Sequence, residues 1–168
     1  AVGVVLALAE RLQAAPLAHT EVWLAFTGCE ETGCDGMLAL LGAHGQALKD
    51  AVFIDLELPG IGERVAYLPA EGVVRRKRIP QVVERLVCQV GEGLNLEAAP
   101  GSASGYFTEA GAAWEHGFKA VCLVTLPQRS SLLPEWHRMS DRPERLQPEA
   151  LGRMGEVVWA LLERVDRD

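Results

Sequence analysis

Residues Glu21–Gly36 have the sequence EVWLAFTGCEETGCDG, and we expect this stretch to decide the fold. Its first half, Glu21–Thr27, is an apolar run of β-prone residues and predicts an interior strand. Its second half places the adjacent carboxylates Glu30 and Glu31 between glycines, before a helix-prone run. Ligands of open α/β sheets bind outside the carboxyl ends of strands, so a functional site is expected at this turn.

The acidic turn has two interpretations. Two neighbouring carboxylates in a half-buried place are costly unless a cation or a proton compensates their charge. One hypothesis is therefore a metal ligand next to a general base, with the surrounding glycines allowing the backbone to approach a ligand closely. The alternative is a solvated acidic turn without chemical function, and the turn alone leaves both open.

Composition narrows the range of functions. The chain has 168 residues, of which 49% are hydrophobic and 23% charged, as expected for one domain with a hydrophobic core. The net charge of -7 opposes nucleic-acid binding, which needs a basic face. No apolar run is long enough to span a membrane. We expect a soluble protein, in the cytoplasm rather than secreted, although a start inside an apolar helix leaves secretion open.

The four cysteines form no CxxC pair, so a four-cysteine zinc site is not expected. Cys88 and Cys122 lie in apolar runs and are predicted to be buried thiols. Cys29 and Cys34 flank the acidic turn, and a disulfide between them stays open as an alternative.

Hydrophobic periodicity predicts alternating helices and strands. The order strand, helix, strand favours a βαβ crossover with a parallel pair between Glu21–Thr27 and Ala51–Leu56. The predicted helices are Ala1–Ala15, Gly36–Leu48, Pro80–Gly91, Phe107–His116 and Gln147–Arg164. The first of these helices is expected to be buried on more than one side. The other predicted strands are Arg64–Leu68, Leu94–Ala98 at an edge of the sheet, and Lys119–Leu126.

Three segments are predicted to be loops. The basic cluster Arg75–Arg78 precedes Pro80 and is interpreted as a solvated lead-in to a helix. Pro100–Gly105 consists of small residues, and Gln128–Asp141 has no regular period.

Asp55 and His137 are two further candidate site residues. Asp55 ends an apolar strand, where a buried carboxylate needs hydrogen bonds or a cation. If the sheet is parallel, Asp55 emerges at the same edge as the turn Glu30–Glu31. His137 lies in the loop after the strand Lys119–Leu126, which can reach that edge, and Asp141 could hydrogen-bond the imidazole or the backbone.

The ordered set of an acidic pair, an aspartate ending the next strand and a late histidine resembles the zinc aminopeptidase family. This group of co-catalytic peptidases includes bacterial leucyl aminopeptidases and glutamate carboxypeptidase-like proteins. The stretch Trp23–Gly33 resembles its strand and Glu-Glu-x-Gly segment. Val52–Leu56 resembles the next ligand strand, and Trp136–Asp141 resembles the final His-x-x-x-Asp segment.

The resemblance implies a role for each candidate. Glu30 would be the general base that takes a proton from the zinc-activated water. Glu31 and His137 would ligate one zinc, and Asp55 would ligate the other. Carboxylate and neutral imidazole are good zinc ligands, and two metals about 3.5–4 Å apart can hold both water and the scissile carbonyl.

This sequence also departs from the family pattern. The family supplies a histidine and a bridging aspartate before the first helix, and Ala1–Val5 resembles the start of that helix. We therefore expect residues 1–168 to be a single peptidase-like domain, the C-terminal part of a longer catalytic domain. With fewer than three ligands for each zinc, we expect the chain itself to bind zinc weakly or not at all and to be inactive.

The fold class that follows is α/β: a three-layer αβα sandwich with a mixed, mainly parallel sheet, like zinc exopeptidases but lacking N-terminal strands. The expected function is a metal-dependent aminopeptidase with peptide substrates and two zinc ions per complete site. The alternatives are a glutaminyl cyclase-like zinc acyltransferase and a non-catalytic binding domain. A homodimer would cover an exposed sheet edge or apolar face.

Overall fold

The structure, a computed structural model, describes residues 1–72, 76–100, 106–130 and 133–167. Three sequence predictions fall partly outside these ranges. They concern Arg75 of the basic cluster, residues 101–105 of the small-residue loop, and residues 131 and 132 of the loop Gln128–Asp141.

The described strands form one mixed sheet and one small hairpin. The strands are β1 (Val52–Glu57), β2 (Arg64–Tyr67), β3 (Ala70–Glu71), β4 (Lys77–Arg78), β5 (Glu97–Ala98) and β6 (Lys119–Leu126). The sheet has the order β1-β6-β2-β5, and β3 pairs with β4 separately. β1 with β6 and β2 with β5 are parallel, whereas β2 with β6 is antiparallel. The predicted mixed, mainly parallel sheet is therefore confirmed.

Helices cover both faces of the sheet. They are α1 (Val2–Ala14), α2 (Asp35–His44), α3 (Gln81–Gly91), α4 (Glu109–Glu115) and α5 (Pro148–Arg167). The long α5 packs on β2 and β6 and is flanked by α1 and α3, while α4 packs on β1 and β6 and against α2. Residues Ala120–Leu126 of β6 are all buried, as expected for a central strand with helices on both faces.

The prediction of an interior strand over Glu21–Thr27 was wrong. These residues form no strand in the structure, and Trp23, Leu24 and Phe26 are exposed. The parallel partner of β1 is instead β6, with Asp55 opposite Cys122. Apolar, β-prone residues indicate the tendency to form a strand, but a strand also has to pair with a neighbouring strand, and composition does not encode that pairing.

The prediction for the first helix was correct in position and wrong in burial. Val4 and Leu8 are buried, but Val2 and Leu6 are 57% and 55% exposed. The reason is that α1 packs on the side of α5, so only one of its faces is covered.

The remaining predictions concern thiols, basic residues and membrane spans. All four cysteines are free, and Cys88 is exposed rather than buried because α3 turns Val83 and Val87 inwards instead. Lys77 and Arg78 are exposed, as the solvated interpretation of the basic cluster requires, but the prediction of a loop was wrong for these two residues, because they form β4 and pair with β3. Within the described ranges, no helix combines the length and hydrophobicity that crossing a bilayer needs.

Candidate metal centre

The acidic pair lies in a tight turn with unusual backbone conformations. Glu30–Thr32 form one 3-10 turn, which is flanked by Cys29 and Cys34, both with φ near 60°. Left-handed backbone costs free energy for a residue with a side chain, and such residues cluster at functional sites. The turn places Glu30 and Glu31 in different environments: Glu30 is half-buried and Glu31 is exposed.

A close backbone contact closes this turn. The amide of Gly36 donates to the carbonyl oxygen of Gly28 at 3.0 Å. A Cβ atom on Gly36 would lie 2.5 Å from both the nitrogen and the oxygen of Gly28, so only glycine fits there. The sequence predicted that glycines would allow a close approach, and the structure shows that the approach is between two parts of the backbone.

Glu31 and His137 are brought together from opposite ends of the chain. The Nε2 atom of His137 lies 2.7 Å from Oε1 of Glu31, and their side chains are 54% and 71% exposed. His137 has a φ of 54°, and its ring lies 4.4 Å from that of Trp136. The backbone amide of Asp141 donates a hydrogen bond to the carbonyl oxygen of Arg138. A carboxylate and an imidazole that converge on one point have the donor chemistry of a zinc site.

Asp55 lies within β1, two residues before its end, and is half-buried. Its Oδ2 atom accepts a hydrogen bond from the backbone amide of Ala110 in α4, at 3.3 Å. Burial, together with the charge of Glu109, raises the pKa of Asp55 to about 6. The structure therefore places Asp55 in an environment that opposes its negative charge unless a cation or proton is bound.

Sequence reasoning missed two further carboxylates, Glu57 and Glu109. Asp55, Glu57 and Glu109 each place an oxygen within 4.8 Å of the others. Burial raises the pKa of Glu57 to about 8, with further contributions from Asp55, Glu109 and Glu30. Alternation along a strand puts residues 55 and 57 on one face, so that spacing could have indicated Glu57. Glu109 lies in the first turn of α4, where an acidic residue is ordinary and gives no signal of a site.

Glu30 lies between these two groups of side chains. Its pKa is raised chiefly by burial and then by the charges of Glu31 and Glu109, while His137 acts in the opposite direction. The four residues predicted from sequence, Glu30, Glu31, Asp55 and His137, are thus all part of one acidic region. Where the sequence predicted a single ligand, Asp55, for one of the metals, the structure places three carboxylates.

The start of α4 is the element that joins this region to the rest of the fold. Thr108 is its N-cap, and the Thr108 hydroxyl accepts a hydrogen bond from the amide of Ala110. Glu109 accepts a hydrogen bond from the hydroxyl of Thr27 at 2.9 Å. Behind the helix, the buried Glu71 accepts from Thr108, and burial raises the pKa of Glu71 to about 7.

Comparison with known protein families matches residues 1–162 to the family described as Peptidase family M28. The chain belongs to peptidase family M28. The match spans nearly all of the chain, including the acidic turn, β1 and the loop of His137, so the resemblance to zinc aminopeptidases that the sequence suggested is confirmed.

Two solved structures share the fold of this chain. The LapA aminopeptidase of Legionella pneumophila matches with a TM-score of 0.65 and 11% identity over 85% of this chain and 39% of that one. BSAP, a zinc aminopeptidase from Bacillus subtilis, matches with a TM-score of 0.69 and 17% identity over 96% of this chain and 40% of that one. This chain thus spans about two fifths of the length of each. The comparison with curated proteins gave no match.

Proposed function

We propose that this M28 chain contributes the catalytic region of a metal-dependent aminopeptidase, which hydrolyses the N-terminal residues of peptides. The observation on which the proposal depends is the 2.7 Å approach of Glu31 and His137, next to the half-buried Glu30. Family membership supports the same activity, as does the fold that this chain shares with two aminopeptidases. The net charge of -7 suits a site that attracts cations and the amino group of a peptide.

The side chains present supply part of the ligand set for two zinc ions. Glu31 and His137 would hold one, and Asp55 would hold the other, with Glu57 and Glu109 offering further oxygens nearby. When bound, zinc supplies Lewis acidity, which polarises the scissile carbonyl and makes water a stronger acid. A cation would also compensate the charges that raise the pKa values of Asp55 and Glu57.

Glu30 is the proposed general base. Its carboxylate would accept a proton from the attacking water and pass it to the leaving amine. A base works best when its pKa approaches the working pH, and burial shifts the pKa of Glu30 in that direction. In the metal-free protein, the charge of a protonated His137 acts on the pKa of Glu30 in the opposite direction.

The first test uses the complete peptidase, since residues 1–168 alone are expected to be inactive, and compares Glu30→Gln with the unmodified protein in hydrolysis of aminoacyl-anilides with zinc bound. Turnover should fall by roughly 10²–10⁴-fold with zinc content unchanged, because the amide keeps the size of the side chain but cannot accept the proton. Glu63→Gln, a change outside the acidic region, is the matched control and should retain turnover. Zinc content is measured by calorimetric titration, in which Glu31→Gln should weaken binding.

Other outcomes separate the alternative functions. Unchanged turnover in Glu30→Gln would remove Glu30 from the mechanism. Cyclisation of N-terminal glutaminyl peptides in place of anilide hydrolysis would favour the glutaminyl cyclase-like acyltransferase. Binding of peptides without any turnover in the zinc-loaded protein would favour a non-catalytic domain.

The proposal includes self-association and a cytoplasmic location. Trp23, Leu24 and Phe26 are exposed at 46%, 39% and 56%, next to the sequence that forms the acidic turn. In the part of the chain that the structure describes, β1 pairs only with β6, so its other edge is open. Exposed apolar side chains and an open strand edge favour association, and a homodimer would cover both.

A further inference from the structure

Glu71 is a buried carboxylate outside the proposed ligand set. It lies in β3 and is only 2% exposed. Its Oε2 accepts from the backbone amide of Thr108 at 2.9 Å, and the Thr108 hydroxyl lies 3.1 Å from the same atom. Burying a carboxylate costs free energy unless hydrogen bonds compensate for the lost water, and Thr108 supplies those hydrogen bonds to Glu71.

The partner of Glu71 is the first turn of α4. A Cβ atom on Gly111 would lie 2.6 Å from Oε2 of Glu71, so the carboxylate packs directly against the helix backbone. The hydroxyl of Thr108 has one proton. When the hydroxyl donates this proton to Glu71, its oxygen can still accept a hydrogen bond from the amide of Ala110, at 3.2 Å.

The same turn of α4 holds two side chains of the acidic region. The amide of Ala110 donates to Oδ2 of Asp55 as well as to Thr108. Glu109 lies within 4.8 Å of Asp55 and Glu57. A shift of Thr108 would therefore move the donor that orients Asp55 and the backbone that directs Glu109.

We propose that Glu71 is a positioning residue: through Thr108 it fixes the start of α4, and thereby the orientation of Asp55 and Glu109 towards a metal. This role rests on the proposed function, since it assumes that Asp55 ligates a cation. It extends the centre by a residue from β3, which lies outside the main sheet. Outer partners of metal ligands affect affinity by orienting the ligands.

The first experiment measures positioning without any metal. Amide hydrogen exchange by NMR is compared in the unmodified chain, Glu71→Gln and the control Glu97→Gln, which changes an exposed glutamate of β5. In Glu71→Gln the Ala110 amide should exchange roughly tenfold faster, because a charged acceptor behind the turn is lost. The Leu123 amide in the buried β6 should keep its rate.

Variants of Thr108 test the same link by another route. Thr108→Val removes the hydroxyl and should also speed exchange at Ala110, whereas Thr108→Ser keeps the hydroxyl and should restore the original rate. Equal acceleration at Ala110 and Leu123 would mean that Glu71 stabilises the whole fold, and this result would overturn the proposal. Unchanged exchange at Ala110 in a folded Glu71→Gln would overturn it too.

The second experiment links positioning to the metal. Cobalt is titrated into each variant of the complete peptidase and followed by its visible absorption. Glu71→Gln should weaken one of the two binding steps by roughly 10–100-fold and leave the other unchanged, while Glu97→Gln changes neither. Faster exchange at Ala110 with unchanged cobalt affinity would overturn the role of Glu71 towards the metal.

The two experiments separate the two proposals. If the unmodified complete peptidase bound no cobalt, the proposed function would be contradicted, and with it the effect of Glu71 on a metal. Amide exchange at Ala110 would still decide whether Glu71 positions α4.

Discussion

Glu57 is the glutamate whose surroundings oppose its charge most clearly. Burial raises its pKa to about 8 from an ordinary value of 4.5, with help from Asp55 and Glu109. The folded, metal-free protein therefore binds this proton more tightly than the unfolded chain does. The resulting stabilisation is fully present below pH 4.5 and is lost as the pH rises through about 8.

The variant Glu57→Gln should remove this pH dependence. At pH 9, where Glu57 is ionised in both states, the variant should have a free energy of unfolding higher by about 2 kcal/mol, because the buried charge is gone. At pH 4 the two proteins should be nearly equal. The measurement is urea unfolding in the presence of a chelator.

The control for this prediction is Glu97→Gln, which changes an exposed carboxylate and should leave the pH profile as it is. If the Glu57→Gln variant lost stability between pH 4 and pH 9 as steeply as the original protein, the pH dependence would not come from Glu57. This result would contradict a raised pKa of Glu57 in the folded protein. Zinc should stabilise the original protein more at high pH, since a cation replaces the proton.

Individual site residues could be predicted from sequence where the residue type conflicts with its position. Asp55 within an apolar strand and the pair Glu30–Glu31 after an apolar run are such conflicts. Glu109 gave no such signal, because an acidic first turn is ordinary for a helix and only the packing of α4 on β1 brings it to Asp55. The distance between Glu31 and His137, 106 residues apart, likewise depends on the complete fold.

At the scale of elements, the junction between the acidic turn and α2 depends on Gly36. The variant Gly36→Ala should lower the free energy of unfolding by about 2 kcal/mol, because the new Cβ would lie 2.5 Å from the backbone of Gly28. The measurement is urea unfolding by circular dichroism. Zinc binding should weaken as well, since the turn that presents Glu31 would have to open.

A second glycine of α2 provides the matched control. A Cβ atom on Gly42 would meet nothing within 4 Å, so Gly42→Ala should stabilise the helix by roughly 0.5–1 kcal/mol. Opposite signs for two identical substitutions in one helix separate the close contact from helix propensity. Equal effects would contradict the need for glycine at position 36.

Elements with a continuous local signal were predictable, and those defined by a partner were not. The run of apolar residues in Lys119–Leu126 predicted β6 to the residue, and helical spacing predicted α5 to within three residues. The segment Glu21–Thr27 has the same apolar character but no strand beside it, so its side chains stay exposed. The two-residue strands β3 and β4 are too short for any period to indicate them.

For the whole molecule, the class of fold followed from the alternation of helices and strands, whereas the order β1-β6-β2-β5 did not. Sequence reasoning expected β1 to pair with the preceding predicted strand, Glu21–Thr27. The structure instead pairs it with β6, which is distant in sequence and central in the sheet. The preference for neighbouring elements is a tendency, and burial of β6 under helices on both faces outweighs it here.

The exposed apolar segment leads to a prediction about assembly. Phe26→Ser should weaken self-association by roughly tenfold or more, because a large apolar side chain that is 56% exposed would be covered in a dimer. Sedimentation equilibrium over a range of protein concentrations measures this. Met139→Ser is the control, since Met139 is 92% exposed but lies in the loop of His137 rather than in the apolar segment. A protein that stays monomeric at all concentrations, or that associates equally with Ser at position 26, would contradict a dimer through Glu21–Thr27.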